Sequence, residues 1–263
     1  MKCIHAYSLL LALAAGFAFA EFTYTVTATK DGKPIQRSDI LFEQVEPSLY
    51  RLNTTTTELA KPRDRGRRVK RVPNSIYYSS NWCGAVQNSA PTNKITSYVA
   101  TWVGIDGATS GSALLQSGIT SKITSTGVQT NWAWLEWIPD AAYNIPSFPV
   151  ATGDWIEVTV SASSSTAGSI TINNLDQSLN YYIPLNNGSP LARVDADWII
   201  EDPATSGGLV PLARFTDTWF EDCTVTTANG SIKNIDAATM YFLSGSKCTS
   251  TQYDSTNFWA SSS

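Results

Sequence analysis

Histidine is almost absent from this sequence. The single one, His5, lies in a leader-like start in which Lys2 precedes an apolar run that closes on Ala18-Phe19-Ala20, a typical secretory cleavage site. The run is too short to span a membrane. We therefore predict a signal peptide over residues 1–20 and a secreted, extracellular protein without imidazole, which excludes Ser-His and Cys-His catalysis.

Two other absences exclude further catalytic mechanisms. Neither Asp-Thr-Gly nor Asp-Ser-Gly occurs anywhere in the sequence, which disfavours the pepsin class. A zinc site would have to use carboxylates alone, because histidine is missing from the processed chain. We therefore expect neither a metal nor a cofactor.

Cysteine is also scarce, since only Cys83, Cys223 and Cys248 remain after the leader. An oxidising compartment favours one disulfide. We predict the pair Cys223 and Cys248, which lie in strand-like segments near the C-terminus, and a buried, inert Cys83 among apolar neighbours. The sequons at Asn187 and Asn229 predict glycosylated surface turns.

Charge changes sign along the chain. Residues 21–71 carry eleven Lys/Arg against seven Asp/Glu, a net charge of +4, whereas residues 72–263 carry six against fifteen, a net charge of −9. The basic block 61–71 is too charged to pack and predicts processing after Lys70-Arg71. A polyanion-binding patch is the weaker alternative, so no nucleic-acid partner is expected.

This charge division predicts the domain organisation. We expect a basic pro-segment over residues 21–71 and one mature domain over residues 72–263, acting as a monomer away from membranes. Opposite charge would hold the pro-segment on the domain as an intramolecular inhibitor, and acid would loosen it by protonating carboxylates.

Short runs rich in Val, Ile, Thr, Tyr and Trp alternate with Gly, Asn, Ser and Pro, without helical periodicity. This pattern predicts an all-β fold of two packed antiparallel sheets. The clearest predicted strands cover residues 97–103, 112–116, 132–138, 155–162, 169–174, 196–201 and 240–243.

Polar residues interrupt three of these strands. Alternation places Trp132, Trp134 and Glu136 on one face of their strand, and likewise groups Asp197 with Glu201. Glutamate is a poor strand former, and its plain interpretation here is a strand-end carboxylate that meets solvent. Similarly, Gln116 follows two leucines. It is either a core amide with all its hydrogen bonds made or a functional group of the active site.

Several motifs occur in one order along the chain. They are Ser80-Asn81-Trp82-Cys83-Gly84, Thr101-Trp102-Val103-Gly104-Ile105-Asp106-Gly107, Ala113-Leu114-Leu115-Gln116-Ser117-Gly118, Trp134-Leu135-Glu136-Trp137-Ile138-Pro139, Gly153-Asp154 and Ala196-Asp197-Trp198-Ile199-Ile200-Glu201-Asp202. From about Ser79 to Cys248 this series resembles the eqolisins, the glutamic peptidases of filamentous fungi. The resemblance implies a concanavalin-like double β-sandwich of two curved antiparallel sheets.

The same resemblance assigns roles to single residues. It implies a catalytic pair of Gln116 and Glu201 acting on polypeptide substrates. It also implies groove, substrate-binding or supporting positions for Trp82, Trp102, Asp106, Trp134 and Glu136. One departure is Asp197, since relatives commonly carry glutamate there, and the substitution keeps the charge but shortens its reach.

Two other functions fit parts of the pattern. A secreted glycoside hydrolase would use Glu136 and Glu201 as its two carboxyl groups, but it would leave Gln116 without a role. A noncatalytic, lectin-like carbohydrate-binding domain would use the tryptophans for stacking, although a binding module rarely needs a pro-segment. Peptide hydrolysis by Gln116 and Glu201 accounts for more of the sequence.

Overall fold

The computed structural model describes residues 21–45, 75–79, 82–88, 95–99, 103–109, 113–123, 128–140, 142–201, 204–205, 208–209, 212, 215, 217–243, 245 and 247–262. The predicted signal peptide, the basic block 61–71 and Trp102 therefore lie outside the described residues. Within these ranges the chain forms strands and two short 3-10 helices, Arg37–Asp39 and Ile235–Ala237. None of the described helices has the length and apolarity to cross a bilayer.

The strands follow one another closely along the chain. In chain order they are β1 (Thr23–Tyr24), β2 (Thr27–Lys30), β3 (Lys33–Pro34), β4 (Glu43–Val45), β5 (Ser75–Ser79), β6 (Trp82–Asn88), β7 (Ile95–Val99), β8 (Val103–Ile105), β9 (Leu114–Ile123), β10 (Gln129–Ile138), β11 (Ala142–Ile145), β12 (Ile156–Ala162), β13 (Ala167–Asn174), β14 (Leu179–Asn186), β15 (Asp195–Glu201), β16 (Ala204–Thr205), β17 (Gly208–Leu209), β18 (Thr218–Phe220), β19 (Val225–Thr227), β20 (Ile232–Lys233), β21 (Thr239–Leu243), β22 (Cys248–Gln252) and β23 (Phe258–Ser262).

Two large sheets contain nearly all of these strands. The smaller has the order β20-β19-β7-β12-β13-β14-β2-β3, with β1 also beside β14. The larger has the order β18-β23-β22-β21-β6-β15-β8-β9-β10-β11-β4, with β5 also beside β21, and β16 pairs only with β17. Every described pairing is antiparallel except β5 with β21, which is parallel. The predicted all-β fold with large antiparallel sheets is confirmed.

The hydrophobic core lies between the two sheets. Leu115, Leu135 and Trp198 of the larger sheet pack in one buried cluster with Val158 and Ile172 of the smaller sheet. Because side chains alternate along a strand, the residues between them point to the opposite face of the larger sheet. We call this opposite face the site face.

One predicted strand is divided in the structure. The pattern over residues 97–103 predicted a single strand, but β7 ends at Val99 in the smaller sheet and β8 begins at Val103 in the larger one. That prediction is wrong because periodicity shows extended backbone and does not show the point at which a chain passes between sheets. The other six predicted strands are confirmed, with ends that differ by several residues at most.

The disulfide prediction is also wrong. Cys83 is bonded to Cys248, with the two Cα atoms 6.2 Å apart, and Cys223 is a buried free thiol. Strand order explains the pairing, because β6 and β22 lie on either side of β21 in the larger sheet. Burial raises the pKa of Cys223 well above its ordinary value, so this residue has the inert character that was predicted for Cys83.

Thiol labelling checks this assignment. In a chain that begins at Glu21, we expect no labelled cysteine in the native state and one after unfolding without reductant, in the peptide that contains Cys223. The physical reason is that a buried, protonated thiol reacts slowly until the core opens. Labelling of Cys83 or Cys248 under these conditions would contradict the disulfide.

Both glycosylation sequons lie where they were predicted. Asn187 follows β14 and Asn229 lies in the turn between β19 and β20, and both side chains are exposed. Gly188, next to the first, has no room for a side chain, because a Cβ there would lie 2.2 Å from the ring of Trp137. Glycan attachment at these positions stays a prediction.

Candidate active site

One row of directly opposed residues crosses four strands of the larger sheet. Glu136 on β10 is opposite Gln116 on β9, Gln116 is opposite Gly104 on β8, and Gly104 is opposite Asp197 on β15. Directly opposed residues share a face. The register therefore brings together the predicted Gln116 and Glu136, and adds Asp197, which no catalytic role had singled out.

The amide of Gln116 is held by a carboxylate. Its Nε2 donates to Oε2 of Glu136 over 2.7 Å, and both side chains are fully buried. Its Oε1 is buried and has no hydrogen-bond partner among the described residues. Since a carboxylate accepts from the NH₂ end of an amide, this bond fixes the orientation of Gln116 and leaves its oxygen as an acceptor.

Gly104 lets the neighbouring strands crowd together at this row. A Cβ on Gly104 would lie 2.8 Å from Cδ1 of Leu114, 3.4 Å from Oδ2 of Asp197 and 3.5 Å from Cβ of Gln116. An added Cβ would therefore overlap the end of the Leu114 side chain and lie in van der Waals contact with both polar side chains. Close packing between neighbouring strands explains why a glycine occupies this position of the Trp-Val-Gly-Ile-Asp motif. This explanation requires the strand register.

Asp197 is a fully buried carboxyl group beside Gln116. Neither of its oxygens has a hydrogen-bond partner within the described part of the chain. Burial, followed by the charges of Asp195 and Asp106, raises the pKa of Asp197 well above its ordinary value. This carboxyl group therefore stays protonated to a higher pH than an ordinary aspartic acid, because burial disfavours its charged form.

Asp106 connects two loops beside this row. Its Oδ2 accepts from the backbone N–H of Arg193 over 2.7 Å, and its Oδ1 accepts from that of Val194 over 2.8 Å. The backbone of Asp106 lies in the left-handed region with φ 71°, which short polar residues tolerate. Burial raises the pKa of Asp106, and the two backbone donors oppose that shift.

Asp195, at the start of β15, forms further hydrogen bonds with the loop after β8. Its Oδ2 accepts from the backbone N–H of Thr109 over 2.7 Å, and its Oδ1 accepts from the Thr109 hydroxyl over 2.6 Å. The backbone N–H of Asp106 also donates to the carbonyl of Asp195 over 3.2 Å. Together these bonds hold the end of β8 against the start of β15, and a role of Asp106 in the active site stays a prediction.

Glu201 ends β15 on the site face. It lies four residues beyond Asp197 on an unbroken strand, so the two side chains point to the same side. Glu201 is opposite Trp82 of β6 and is half-buried. Gln116 and Glu201 therefore share one face of the larger sheet, which the proposed pair requires.

An apolar cluster surrounds the polar row on the site face. Trp82 packs against Tyr241, with ring centroids 6.4 Å apart, and Trp134 is half-buried against the same cluster. The remaining members of the cluster are Val86, Leu114, Ile138 and Ile199, with Ala108 packed against them. The predicted site residues Trp82 and Trp134 thus lie on the same face as Gln116 and Glu136.

Sequence reasoning missed two contributors to this site. Asp197 was noted for the face that it shares with Glu201 and as a departure from a family pattern, but it received no role, although an unpaired aspartate inside the apolar run Ala196–Ile200 already signals a costly burial. Asp195 was not considered, because its bond to Thr109 joins residues far apart in the chain. The strand register was needed to place Asp197 in the row of Gln116, and the tertiary contact with Thr109 was needed to place Asp195.

Known proteins share both the sequence and the fold. The chain is 32% identical over 199 residues to aspergillopepsin-2 of Aspergillus niger, covering 62% of this chain and 70% of that protein. It is 32% identical over 180 residues to scytalidopepsin B of Scytalidium lignicola, covering 60% and 68%. It superposes on scytalido-glutamic peptidase bound to a peptide-based transition-state analogue, at 30% identity and a TM-score of 0.60, covering 70% of this chain and 98% of that one.

These likenesses agree with the family match. Residues 85–261 match the Peptidase A4 family, a span that includes the whole row from Gly104 to Asp197 as well as Glu201. The resemblance to the eqolisins that the sequence motifs indicated is thereby confirmed. The chain belongs to the Peptidase A4 family, the glutamic peptidases.

Proposed function

We propose that this protein is a secreted, acid-acting endopeptidase that hydrolyses polypeptides with Gln116 and Glu201. The observation that carries the proposal is the held amide of Gln116, whose buried oxygen has no hydrogen-bond partner among the described residues and lies on the face that also carries Glu201. Membership of a peptidase family supports the same reaction. Glycoside hydrolysis and lectin-like binding are not favoured by the family match.

Glu201 and Gln116 divide the chemistry of the proposed reaction. As a carboxylate, Glu201 takes a proton from a water molecule, which then attacks the peptide carbonyl carbon. Gln116 accepts from this water through Oε1 and donates through the second hydrogen of Nε2 to the developing oxyanion. Glu201 returns the proton to the amine as the C–N bond breaks.

Glu136 acts in this scheme as a positioning residue. Its carboxylate holds one hydrogen of the Gln116 amide, so that the other amide hydrogen and the amide oxygen keep fixed directions. This fixed orientation lowers the activation barrier of peptide hydrolysis because the polar groups need no rearrangement during the reaction. Half-buried Trp134 supplies apolar surface for a substrate side chain at the same place.

The first experiment separates this reaction from sugar cleavage. We expect Gln116→Ala to lower cleavage of an acid-denatured protein by about 10²–10³-fold, since it removes the oxyanion donor. Glu136→Ala should lower the same activity by a smaller factor, and neither variant should act on polysaccharides. Polysaccharide cleavage that depends on Glu136 and survives Gln116→Ala would establish the glycosidase instead.

Acidic conditions should favour the enzyme. A carboxylate base titrates near pH 4.3, and the carboxyl groups of Asp106 and Asp197 both have raised pKa values. We expect cleavage that is unaffected by a pepsin-type inhibitor and that declines towards neutral pH. Full activity above neutrality would show that no carboxyl group with a raised pKa has to stay protonated for cleavage.

Secretion and latency are part of the proposal. Cleavage after Ala20 would leave Glu21 at the N-terminus, where its Oε1 accepts from the hydroxyl of Tyr143 over 2.6 Å. The burial of Gln116 and Glu136 in the unprocessed chain supports a latent form, since a substrate cannot reach a fully buried amide. N-terminal sequencing of protein from a secreting host should find Glu21 before acid treatment.

A further inference from the structure

We infer that Asp197 is a second positioning residue for Gln116, which acts through a water molecule bound between its buried carboxyl group and Oε1 of Gln116. Glu136 holds the nitrogen end of the same amide. The proposed reaction leaves Asp197 without a role, although it is the other fully buried acid in the row of opposed residues. The inference rests on the proposed function, because it concerns the orientation of the amide that the reaction uses.

Asp197 and Gln116 approach each other over Gly104. Strand β8 lies between β9 and β15, and Gly104 is directly opposite both residues. The point that a Cβ of Gly104 would occupy lies 3.4 Å from Oδ2 of Asp197 and 3.5 Å from Cβ of Gln116. Because the intervening residue has no side chain, β8 places nothing of its own between the carboxyl group and the side chain of Gln116.

Three buried oxygens at this place have no hydrogen-bond partner among the described residues. They are Oδ1 and Oδ2 of Asp197 and Oε1 of Gln116. Buried polar atoms are nearly always paired, either with protein or with ordered water. The row therefore requires a partner that can donate to both side chains, and a water molecule has the two hydrogens for this.

One water molecule can pair all three oxygens when Asp197 is protonated. The O–H of the carboxyl group donates to the water oxygen, one water hydrogen is donated to the other oxygen of the same carboxyl group, and the second is donated to Oε1 of Gln116. Buried waters typically make about three hydrogen bonds. An amide oxygen has two acceptor positions, so Oε1 can also accept from the water that attacks the substrate.

The surroundings of Asp197 favour its protonated form. The ionisable groups on its own strand, in the row and on the loop after β8 are all acidic, and they are Asp195, Glu201, Glu136 and Asp106. The opposite residue on β6, Val86, carries no charge. Burial, followed by the charges of Asp195 and Asp106, raises the pKa of Asp197. The carboxyl group therefore keeps its donor proton at a pH where an ordinary aspartic acid has lost it.

This water would hold the amide of Gln116 from its second end. With Nε2 bonded to Glu136 and Oε1 bonded to the water, the amide cannot rotate without breaking a buried hydrogen bond. Ionisation of Asp197 removes the donor to the water oxygen and places a charge in the row. Activity should therefore decline as the pH rises through the folded-state pKa of Asp197.

Crystallography tests the water site independently of activity. A high-resolution map from acidic crystals of the secreted protein should show a buried water within hydrogen-bond distance of Asp197 and of Oε1 of Gln116. In Asp197→Leu, which has a similar size but no polar atom, this water should be absent. A wild-type map without a water in contact with both side chains would overturn the inference, whatever the activity of the protein.

Kinetics of matched variants test the positioning role. Asp197→Asn keeps a donor and an acceptor for the water but has no proton to lose, so it should keep kcat in acid within a few-fold and extend activity towards neutral pH. Asp197→Leu should lower kcat about tenfold with KM nearly unchanged, because a poorly held amide stabilises the transition state less. Asp222→Asn, at an exposed position, should keep the wild-type pH profile.

Melting temperatures measured in acid establish that each variant is folded, and Asp197→Asn alone decides the role if the leucine variant does not fold. Wild-type kcat in Asp197→Leu, or a decline of activity at the same pH in Asp197→Asn and the wild type, would overturn the positioning role. If the wild type cleaves no protein at any acidic pH, the peptidase proposal fails. The map then still decides whether Asp197 and Gln116 share a water.

Discussion

Replacing Glu201 by glutamine is expected to reduce kcat/KM for an acid-denatured protein by about 10²–10⁴-fold, the usual size of a general acid–base contribution. Glutamine has nearly the same shape as glutamate and can still hydrogen-bond, but it cannot take a proton from water. Glu201 is half-buried at the end of β15, so the change should alter the fold little. The measurement is initial-rate kinetics over a range of acidic pH.

Glu221→Gln is the matched control for this variant. Glu221 is exposed in the loop after β18, and the same substitution there removes one carboxylate without touching the site face. Its activity should equal that of the unmodified protein. Wild-type activity in Glu201→Gln, with both variants melting at the same temperature, would remove Glu201 from the mechanism.

The free energy of unfolding should fall as the pH rises from about 4 towards 7, and Asp197→Asn should remove much of that fall. The folded-state pKa of Asp197 is raised by burial and by the charges of Asp195 and Asp106. A carboxyl group with a raised folded-state pKa gives its full stability below its ordinary pKa of 3.8, and that stability is lost as the pH rises through the folded-state value. The loss approaches about 1.4 kcal/mol per pH unit for one proton.

Asparagine keeps the size and polarity of Asp197 but has no proton to lose in this range. The variant should therefore match the wild type near pH 4 and exceed its stability near pH 7, as measured by denaturant unfolding at several pH values. Asp222→Asn, at an exposed position with φ 54° that asparagine tolerates, should leave the wild-type pH dependence unchanged. An identical slope in Asp197→Asn and the wild type would show that this buried group does not set the pH dependence.

These two predictions connect stability with the acidic working range. Asp106 and Asp197 both have raised pKa values, and both adjoin the strands that carry the proposed pair of Gln116 and Glu201. Ionisation of Asp197 would create a buried charge without a hydrogen-bond partner among the described residues, and this would disturb the positions of Gln116 and Glu201. Loss of activity towards neutral pH would then reflect a loosened site, because a carboxylate base itself stays ionised there.

Much of the site could be predicted from the sequence. Alternation along a strand is a local property, so the shared faces of Trp134 with Glu136 and of Asp197 with Glu201 follow from their spacing. The ordered motifs identified the family, and the lack of a usable histidine excluded the commoner hydrolytic mechanisms. The surface positions of Asn187 and Asn229 also followed from local turn sequence.

The disulfide shows why other features could not be predicted. Cys223 and Cys248 are close in sequence, but the strand order places Cys83 beside Cys248 across β21. The same limit applies to the strand pattern over residues 97–103, which gives no sign that the chain changes sheets there. Both depend on which strands become neighbours, and that is decided by packing of the whole sandwich.

The sequence by itself determined the fold class, the alternating faces of single strands and the family, because each is written in residue spacing or in ordered motifs. Only the tertiary structure decided that Glu136 holds the amide of Gln116, that Asp197 is buried beside it, and that residues 21–45 complete both sheets. The physical reason is that strand register and edge pairing join residues from distant parts of the chain, and the free energy of those contacts belongs to the assembled core.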